Sequence, residues 1–189
     1  MMTITAEGIS GNTMEELDYI ESRSLIGRIV MPITRWLRAI NAEPYISSGE
    51  RLLDIGCGDG YFIKRQTKIT ERYGLDMRLG DKVKNKLDCS DQHFDYVTML
   101  AVIEHINNPE DIFQEVYRVL RPQGKLICTT PKESAEWLIN LYVKEIEEEH
   151  ETYCDVNRVK QLAGDNVSVT DYKTFIFGLN QVFFLTRNS

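Results

Sequence analysis

Arg51-Leu52-Leu53-Asp54-Ile55-Gly56-Cys57-Gly58-Asp59-Gly60 is the stretch on which the fold turns. Its first half is a short apolar run holding one acid, which reads as a buried strand. Its second half sets three glycines at alternate positions, which reads as a tight turn. A strand that ends in a glycine turn is the opening unit of an open parallel sheet, where ligands lie beyond the strand ends and the strand order reverses. Glycines at that turn permit positive φ and leave no Cβ between a ligand and the backbone.

On the amino-terminal side, residues 14–42 read as a helical segment with apolar side chains at Ile26, Ile29, Val30, Ile33, Leu37 and Ile40, broken or kinked at Pro32. Arg28, Arg35 and Arg38 fall on the other face, read as solvated; the alternative is a basic amphipathic lid that meets an anionic or membrane-associated substrate. After the glycine turn come a helix over 61–70, a strand over 72–77 and a weaker third strand over 84–88. A strand over 94–101 is followed by a helix from Pro109 with Ile112, Phe113, Val116, Val119 and Leu120 on one face, ending near Gly124. The next strand covers 124–130, followed by a long helix over 134–149 and a shorter one over 155–163. Two strand-like runs, 167–177 and 181–187, flank the hairpin-like Gly178-Leu179-Asn180. The alternation predicts an α/β chain with a mostly parallel sheet, helices on both faces and an antiparallel strand added late. One domain is expected over 1–189, with 1–48 as a helical lid or extension and 49–189 as the core.

The 189 residues carry a net charge of -7, with 42% hydrophobic and 27% charged side chains. That balance argues against a phosphate-neutralising surface, so nucleic acid is not an expected partner. No apolar run reaches the roughly 20 residues of a membrane span, and Met1 to Ser10 lacks the pattern of a signal peptide, so a cytoplasmic location is expected, with a peripheral membrane contact left open. Cys57, Cys89, Cys128 and Cys154 form no C-x-x-C pair and His93, His105 and His150 no ligand pair, so no metal is expected. Oligomeric state is not legible.

Spacing narrows the ligand. Counting G-x-G-x-x-G from Gly56 puts bulky Tyr61 at the last glycine position, which disfavours a dinucleotide, and no G-K-S/T follows for a nucleoside triphosphate. Asp54 stands two residues before the first glycine, suiting a cationic ligand better than a pyrophosphate. Asp76 ends the second strand, where a carboxylate can accept ribose hydroxyls. Asp88-Cys89 ends the faint third strand, where a carboxylate can meet an adenine amino group.

In these blocks the chain resembles the class I S-adenosylmethionine-dependent methyltransferases, in the subgroup similar to ubiquinone/menaquinone-biosynthesis and small-molecule enzymes. Leu52 to Gly60 resembles the first motif of that family and Gly74-Leu75-Asp76-Met77 its ribose-binding strand end. Phe94-Asp95-Tyr96-Val97 with Ile103-Glu104-His105-Ile106, and Val119 to Leu126, resemble the regions of the fourth and fifth strands. The resemblance implies a Rossmann-like, seven-stranded sheet of order 3-2-1-4-5-7-6 with strand 7 antiparallel. It implies S-adenosylmethionine as cofactor and methyl transfer to a small-molecule acceptor, lipid-like or anionic acceptors included. It further implies Asp54, Gly56, Cys57, Gly58, Gly60 and Tyr61 around the methionine part, and Asp76 on the ribose. Met77, Asp88 and Cys89 would lie about adenine, with Leu100 and Ala101 near the methyl. Cys57 also reads as a small filler. His105 reads either as a histidine bonded to a loop backbone or as a substrate contact. His150, after Glu147-Glu148-Glu149, reads as a solvated helix end or a general base. The alternative function is a non-catalytic adenosyl-binding or protein-interaction module.

Overall fold

Seven residues, Gly49–Ile55, form the central strand β3, and its last four are all buried, Asp54 among the apolar ones, because both faces of the sheet are covered here. The structure, a computed structural model, describes residues 2–5, 8–10, 25–76, 87–106, 108–135 and 153–189. On one side β3 pairs in parallel with β4 (Ile69–Leu75), on the other with β5 (Phe94–Leu100). Strand order therefore reverses at β3, and the crevice beyond Ile55 is the place where such sheets bind ligands. Beyond β5 lies parallel β6 (Leu120–Pro131), then antiparallel β8 (Asn180–Arg187) and β7 (Val167–Phe175). The Rossmann-like α/β architecture and the late antiparallel strand agree with expectation.

The edge beside β4 does not. Strands β1 (Met2–Thr5) and β2 (Gly8–Ser10) form an antiparallel pair, and β1 runs antiparallel against β4, so the described sheet has eight strands in the order β2-β1-β4-β3-β5-β6-β8-β7. The third strand expected over 84–88 falls mainly in residues outside the described ones; Leu87 and Asp88, which are described, are not in a strand. An open edge presents unpaired amides and carbonyls, and Met2, Thr3 and Ile4 cover that of β4 by pairing with Gly74, Tyr73 and Arg72. The first residues are thus strands where a helical extension was expected.

Helix α1 (Leu25–Ala42) contains Pro32 and continues past it, so the expected break or kink is not a break. The onset expected at residue 14 lies outside the described residues. Helix α2 (Tyr61–Arg65) is shorter than the expected 61–70, because Ile69 and Thr70 are β-branched and already pair in β4. Helix α3 (Pro109–Val119) starts on its proline, and α4 (Val156–Ala163) is capped by Asp155, whose carboxylate accepts from the amide of Arg158 at 2.7 Å. Most of the helix expected over 134–149 lies outside the described residues; Glu133–Ala135 is a single 3₁₀ turn.

Two cores sandwich the sheet. One joins Leu53, Val97, Met99 and Phe183 to Ile112 and Val116 of α3 and Val159 of α4; the other joins Leu52, Tyr96, Ile127 and Phe184 to Ala39 and Ala42 of α1 and Phe62 of α2. A strand points successive side chains to opposite faces of its sheet, so Leu52 and Leu53 of β3 serve different cores.

Candidate active site

The glycine turn is shaped by contacts that only glycine tolerates. Gly56, Gly58 and Gly60 have φ of +74, +52 and +69. A Cβ on Gly56 would stand 2.3 Å from Cγ2 of Val102, in the loop after β5. The amides of Gly56 and Cys57 donate to the carbonyl of Leu75 at 2.7 and 3.1 Å, which ties the turn to the end of β4. Cys57 turns its thiol away from the crevice: it is buried, and Gly74 is glycine where a Cβ would meet that sulfur at 2.7 Å.

Two acids meet over this turn. Asp54, 3% exposed, and Asp76, 5% exposed, end neighbouring parallel strands. The amide of Gly58 donates to Asp76 at 2.8 Å, and the Thr98 hydroxyl donates to Asp54 at 2.6 Å. Thr98 on β5 was not singled out in the sequence; its register opposite Asp54 was the missing clue, and that needs the strand pairing. Burial pushes the Asp54 carboxyl up to about 7 from 3.8; the Thr98 hydrogen bond opposes this, and repulsion from Asp76 adds to it. Between about pH 4 and 7 the folded chain thus keeps a proton that the unfolded chain has released, so this group makes stability fall as pH rises through that window, by up to about 1.4 kcal/mol per pH unit. Asp54→Asn is expected to flatten that part of the dependence. Thermal midpoints of both proteins across the window check it; parallel curves would refute the assignment.

The remaining expected residues are distributed around this pair. Tyr61 is half-buried, and its ring lies under the guanidinium of Arg35, 4.4 Å from centroid to Cζ. Arg35 also donates to Asp59 in the turn at 2.7 Å, while the other oxygen of Asp59 accepts from the Tyr61 amide at 2.9 Å. The arginine face of α1, expected to be solvated, is thus turned onto the glycine loop at this point. Leu100 and Ala101 are half-exposed at the end of β5, and Ala101 is left-handed at φ +60, held by its amide donating to the Thr129 carbonyl at 2.9 Å. Such strain collects where a site needs a particular backbone shape.

Asp88 is exposed and Cys89 half-buried. Their segment is held by Arg118 of α3, which donates to the carbonyls of Leu87 and Cys89 at 2.9 and 2.8 Å and pairs with Glu115 at 2.7 Å. This bracket was not legible in the sequence, where Arg118 looks like any surface helix charge. Burial also pushes the Cys89 thiol up. His105 is half-exposed in the 3₁₀ turn Ile103–His105 after β5, next to buried Glu104. Met77 and His150 lie outside the described residues. Among the described residues no three His, Cys, Asp or Glu side chains are grouped to hold a metal.

Residues 18–166 match a family profile described as "Methyltransferase domain". Over 107 residues the chain is 26% identical to the ubiquinone biosynthesis O-methyltransferase of Actinobacillus pleuropneumoniae, covering 43% of this chain and 46% of that one. It is 31% identical over 104 residues to the sterol 24-C-methyltransferase erg6 of Aspergillus fumigatus, covering 42% and 27%. The matched stretches thus span less than half of these curated relatives. A solved chain from the complex between the Haloferax volcanii Trm112 methyltransferase activator and a methyltransferase superposes with a TM-score of 0.69, covering 85% of this chain and 92% of that one; at 16% identity the likeness is one of fold.

Proposed function

The chain belongs to the methyltransferase-domain family, the class I S-adenosylmethionine-dependent methyltransferases, and from that premise we propose that it transfers a methyl group from S-adenosylmethionine to a small-molecule acceptor. The observation that carries this reading is the pair of buried carboxylates, Asp54 and Asp76, brought together over a glycine turn. Two acids that repel each other out of water form a poor pyrophosphate site and a good one for a cationic adenosyl ligand. The residues present therefore fit the donor.

In this reading Asp76 accepts the ribose hydroxyls, and Asp54 with the backbone of Gly56, Gly58 and Gly60 faces the positively charged amino-acid end. Cys57 and Tyr61 shape the turn from behind and above. Met77, Asp88 and Cys89 border adenine, and Leu100 and Ala101 border the reacting methyl. The donor, when bound, supplies an already activated sulfonium methyl. The chain's own task is to align the acceptor in line with it and keep water out; orientation of this kind is worth several kcal/mol, up to about 7–11 in the best intramolecular cases. A general base is needed only for an acceptor that arrives protonated, with His105 and His150 as the candidates.

The acceptor we propose is apolar in part. Leu37, Leu100 and Ile176 are half-buried against one core, and Leu100 ends β5 beside the donor crevice. The two relatives named above act, by their names, in ubiquinone biosynthesis and on a sterol. Calorimetric titration with S-adenosylmethionine and S-adenosylhomocysteine is expected to give micromolar-range binding, and a panel of quinol-, sterol- and catechol-type acceptors to release S-adenosylhomocysteine. No heat with either ligand would sink the proposal, and binding without turnover on any acceptor would favour a non-catalytic module.

A further inference from the structure

On the α1 side of the sheet, Arg38 and Asn180 are polar side chains that the fold leaves unused. Asn180 opens β8 and is 7% exposed, yet its Oδ1 has no hydrogen-bond partner among the described residues. Its neighbour Gln181, on the opposite face, shows what a structural amide does: it donates to the Cys154 carbonyl at 2.6 Å and accepts from the Tyr172 hydroxyl at 3.3 Å. Arg38 is half-buried with its Nε out of contact with water, and no hydrogen bond or ion pair reaches it among the described residues. Arg72 and Arg187 also bury their Nε, but each donates through its guanidinium to a backbone carbonyl. A buried polar group left without a partner costs free energy, and a charge costs more, so two of them on one face call for a group that completes both.

Helix and strand periodicity bring the two together. Arg38 lies about 200° round the helix from exposed Trp36 and one turn before fully buried Ala42, so it faces the sheet. Beneath it are β6 and β8, where Ala39 and Ala42 share a core with Ile127, Val182 and Phe184. Asn180 stands two residues before Val182 and is therefore on that same face. Tyr45, just past α1, stacks on Phe184, which is level with Asp54 through Ile127 and Thr98. Counted back from that contact, Arg38 is roughly 10 Å along the helix and Asn180 roughly 13 Å along the strand. Both counts run towards the end of the sheet that carries the glycine loop, where Arg35 meets Asp59. Helical side chains lean towards the helix N-terminus, which sends the Arg38 guanidinium the same way. Leu100 pairs with Thr129 and Thr129 with Val182, so Leu100 is one step below Asn180 and two strands across, roughly 10 Å away.

We infer that Arg38 and Asn180 form the polar end of the acceptor site and select an acceptor that carries a carboxylate with a hydroxyl beside it. The guanidinium fork matches a carboxylate in shape and balances its single charge, whereas a phosphate monoester brings nearly two. A hydroxyl both donates and accepts, so it satisfies the Asn180 amide whichever way that amide is turned. With this end held, an apolar body laid against Leu37 and Ile176 carries the reacting group across to Leu100, beside the donor methyl. The inference rests on the methyltransferase reading and adds to it the acceptor's class and the side chains that select it.

The test is calorimetric titration of the full chain, saturated with S-adenosylhomocysteine, with three related probes. They are 2-hydroxy-4-phenylbutanoate, 4-phenylbutanoate, which lacks the hydroxyl, and 2-hydroxy-4-phenylbutanamide, which lacks the charge. The hydroxy acid is expected to bind about tenfold or more tighter than the amide and about threefold or more tighter than 4-phenylbutanoate. Arg38→Gln should abolish the preference for charge and Arg38→Lys keep part of it, while Asn180→Leu should abolish only the preference for the hydroxyl. Unchanged affinity for S-adenosylhomocysteine in each variant will show that it is folded, and the comparison of probes on the wild type stands without any variant. No heat with any of the three, equal binding of acid and amide, or preferences that survive the substitutions would overturn the inference. So would tighter binding of 4-phenylbutyl phosphate than of the hydroxy acid, since the anion would then be a phosphate. If S-adenosylhomocysteine itself gives no heat, the methyltransferase reading fails, and the same probes titrated into the free chain still decide whether Arg38 and Asn180 hold a hydroxylated carboxylate.

Discussion

Asp76→Ala is expected to lower affinity for S-adenosylmethionine and S-adenosylhomocysteine about a hundredfold or more. The carboxylate is 5% exposed and holds the Gly58 amide at 2.8 Å. It therefore acts twice in the proposed site, as an acceptor for the ribose and as the tie that shapes the glycine turn. A hydrogen bond to a buried charged group is worth about 1.5–3 kcal/mol, and losing a ribose contact together with the loop's tie reaches the stated factor. Asp76→Asn should fall between wild type and alanine, because an amide oxygen can still accept from Gly58 while the charge is gone. The same substitutions remove the repulsion on Asp54, so its titration should move down from about 7. Calorimetry reads the first effect and the pH dependence of stability the second. Wild-type affinity in Asp76→Ala would rule out the ribose role; an unmoved Asp54 titration would rule out the coupling.

Gly56→Ala is expected to be among the most damaging single-methyl changes available in this chain. At φ +74 an alanine costs about 1–2 kcal/mol in backbone strain. Its Cβ would also stand 2.3 Å from Val102 Cγ2, and overpacking of this kind costs about 1–3 kcal/mol more. Together that is about 2–5 kcal/mol, a large part of the stability of an ordinary domain. Val102→Ala added to Gly56→Ala should return the overpacking share and leave the backbone share, a coupling that urea denaturation can read as a double-mutant cycle. Additive effects of the two changes would show that Val102 is not what confines Gly56.

How far the sequence reached follows from the range of each interaction. The strand before the glycine turn, the start of α3 at Pro109, the short helix α4 and the closing strand pair are set by neighbours within a few residues, and all were legible. The length of α2 was not, because Ile69 and Thr70 leave the helix only once β3 offers them a parallel partner. Pro32 left a break or a kink open for a related reason: intrinsic propensity disfavours a helix there, whereas α1, anchored by Arg35 and Ala39, runs through it.

For the site, the sequence by itself determined the glycine turn, the acids placed before it and after the next strand, and through their spacing a cationic ligand rather than a dinucleotide, the adenosyl donor being what the family resemblance implies. Those depend on chain order and residue chemistry alone. Only the tertiary structure decided that Thr98 restrains Asp54, that Arg118 clamps the segment before Asp91, and that β1 occupies the edge beside β4. It also decided that α1 turns Arg35 onto the glycine loop and leaves Ile29 and Ile33 exposed. Helical spacing defines two faces and says nothing about which one meets the body. That choice is made by partners distant in sequence, here Asp59 and Tyr61 for Arg35, and they are brought within reach only when the sheet has formed.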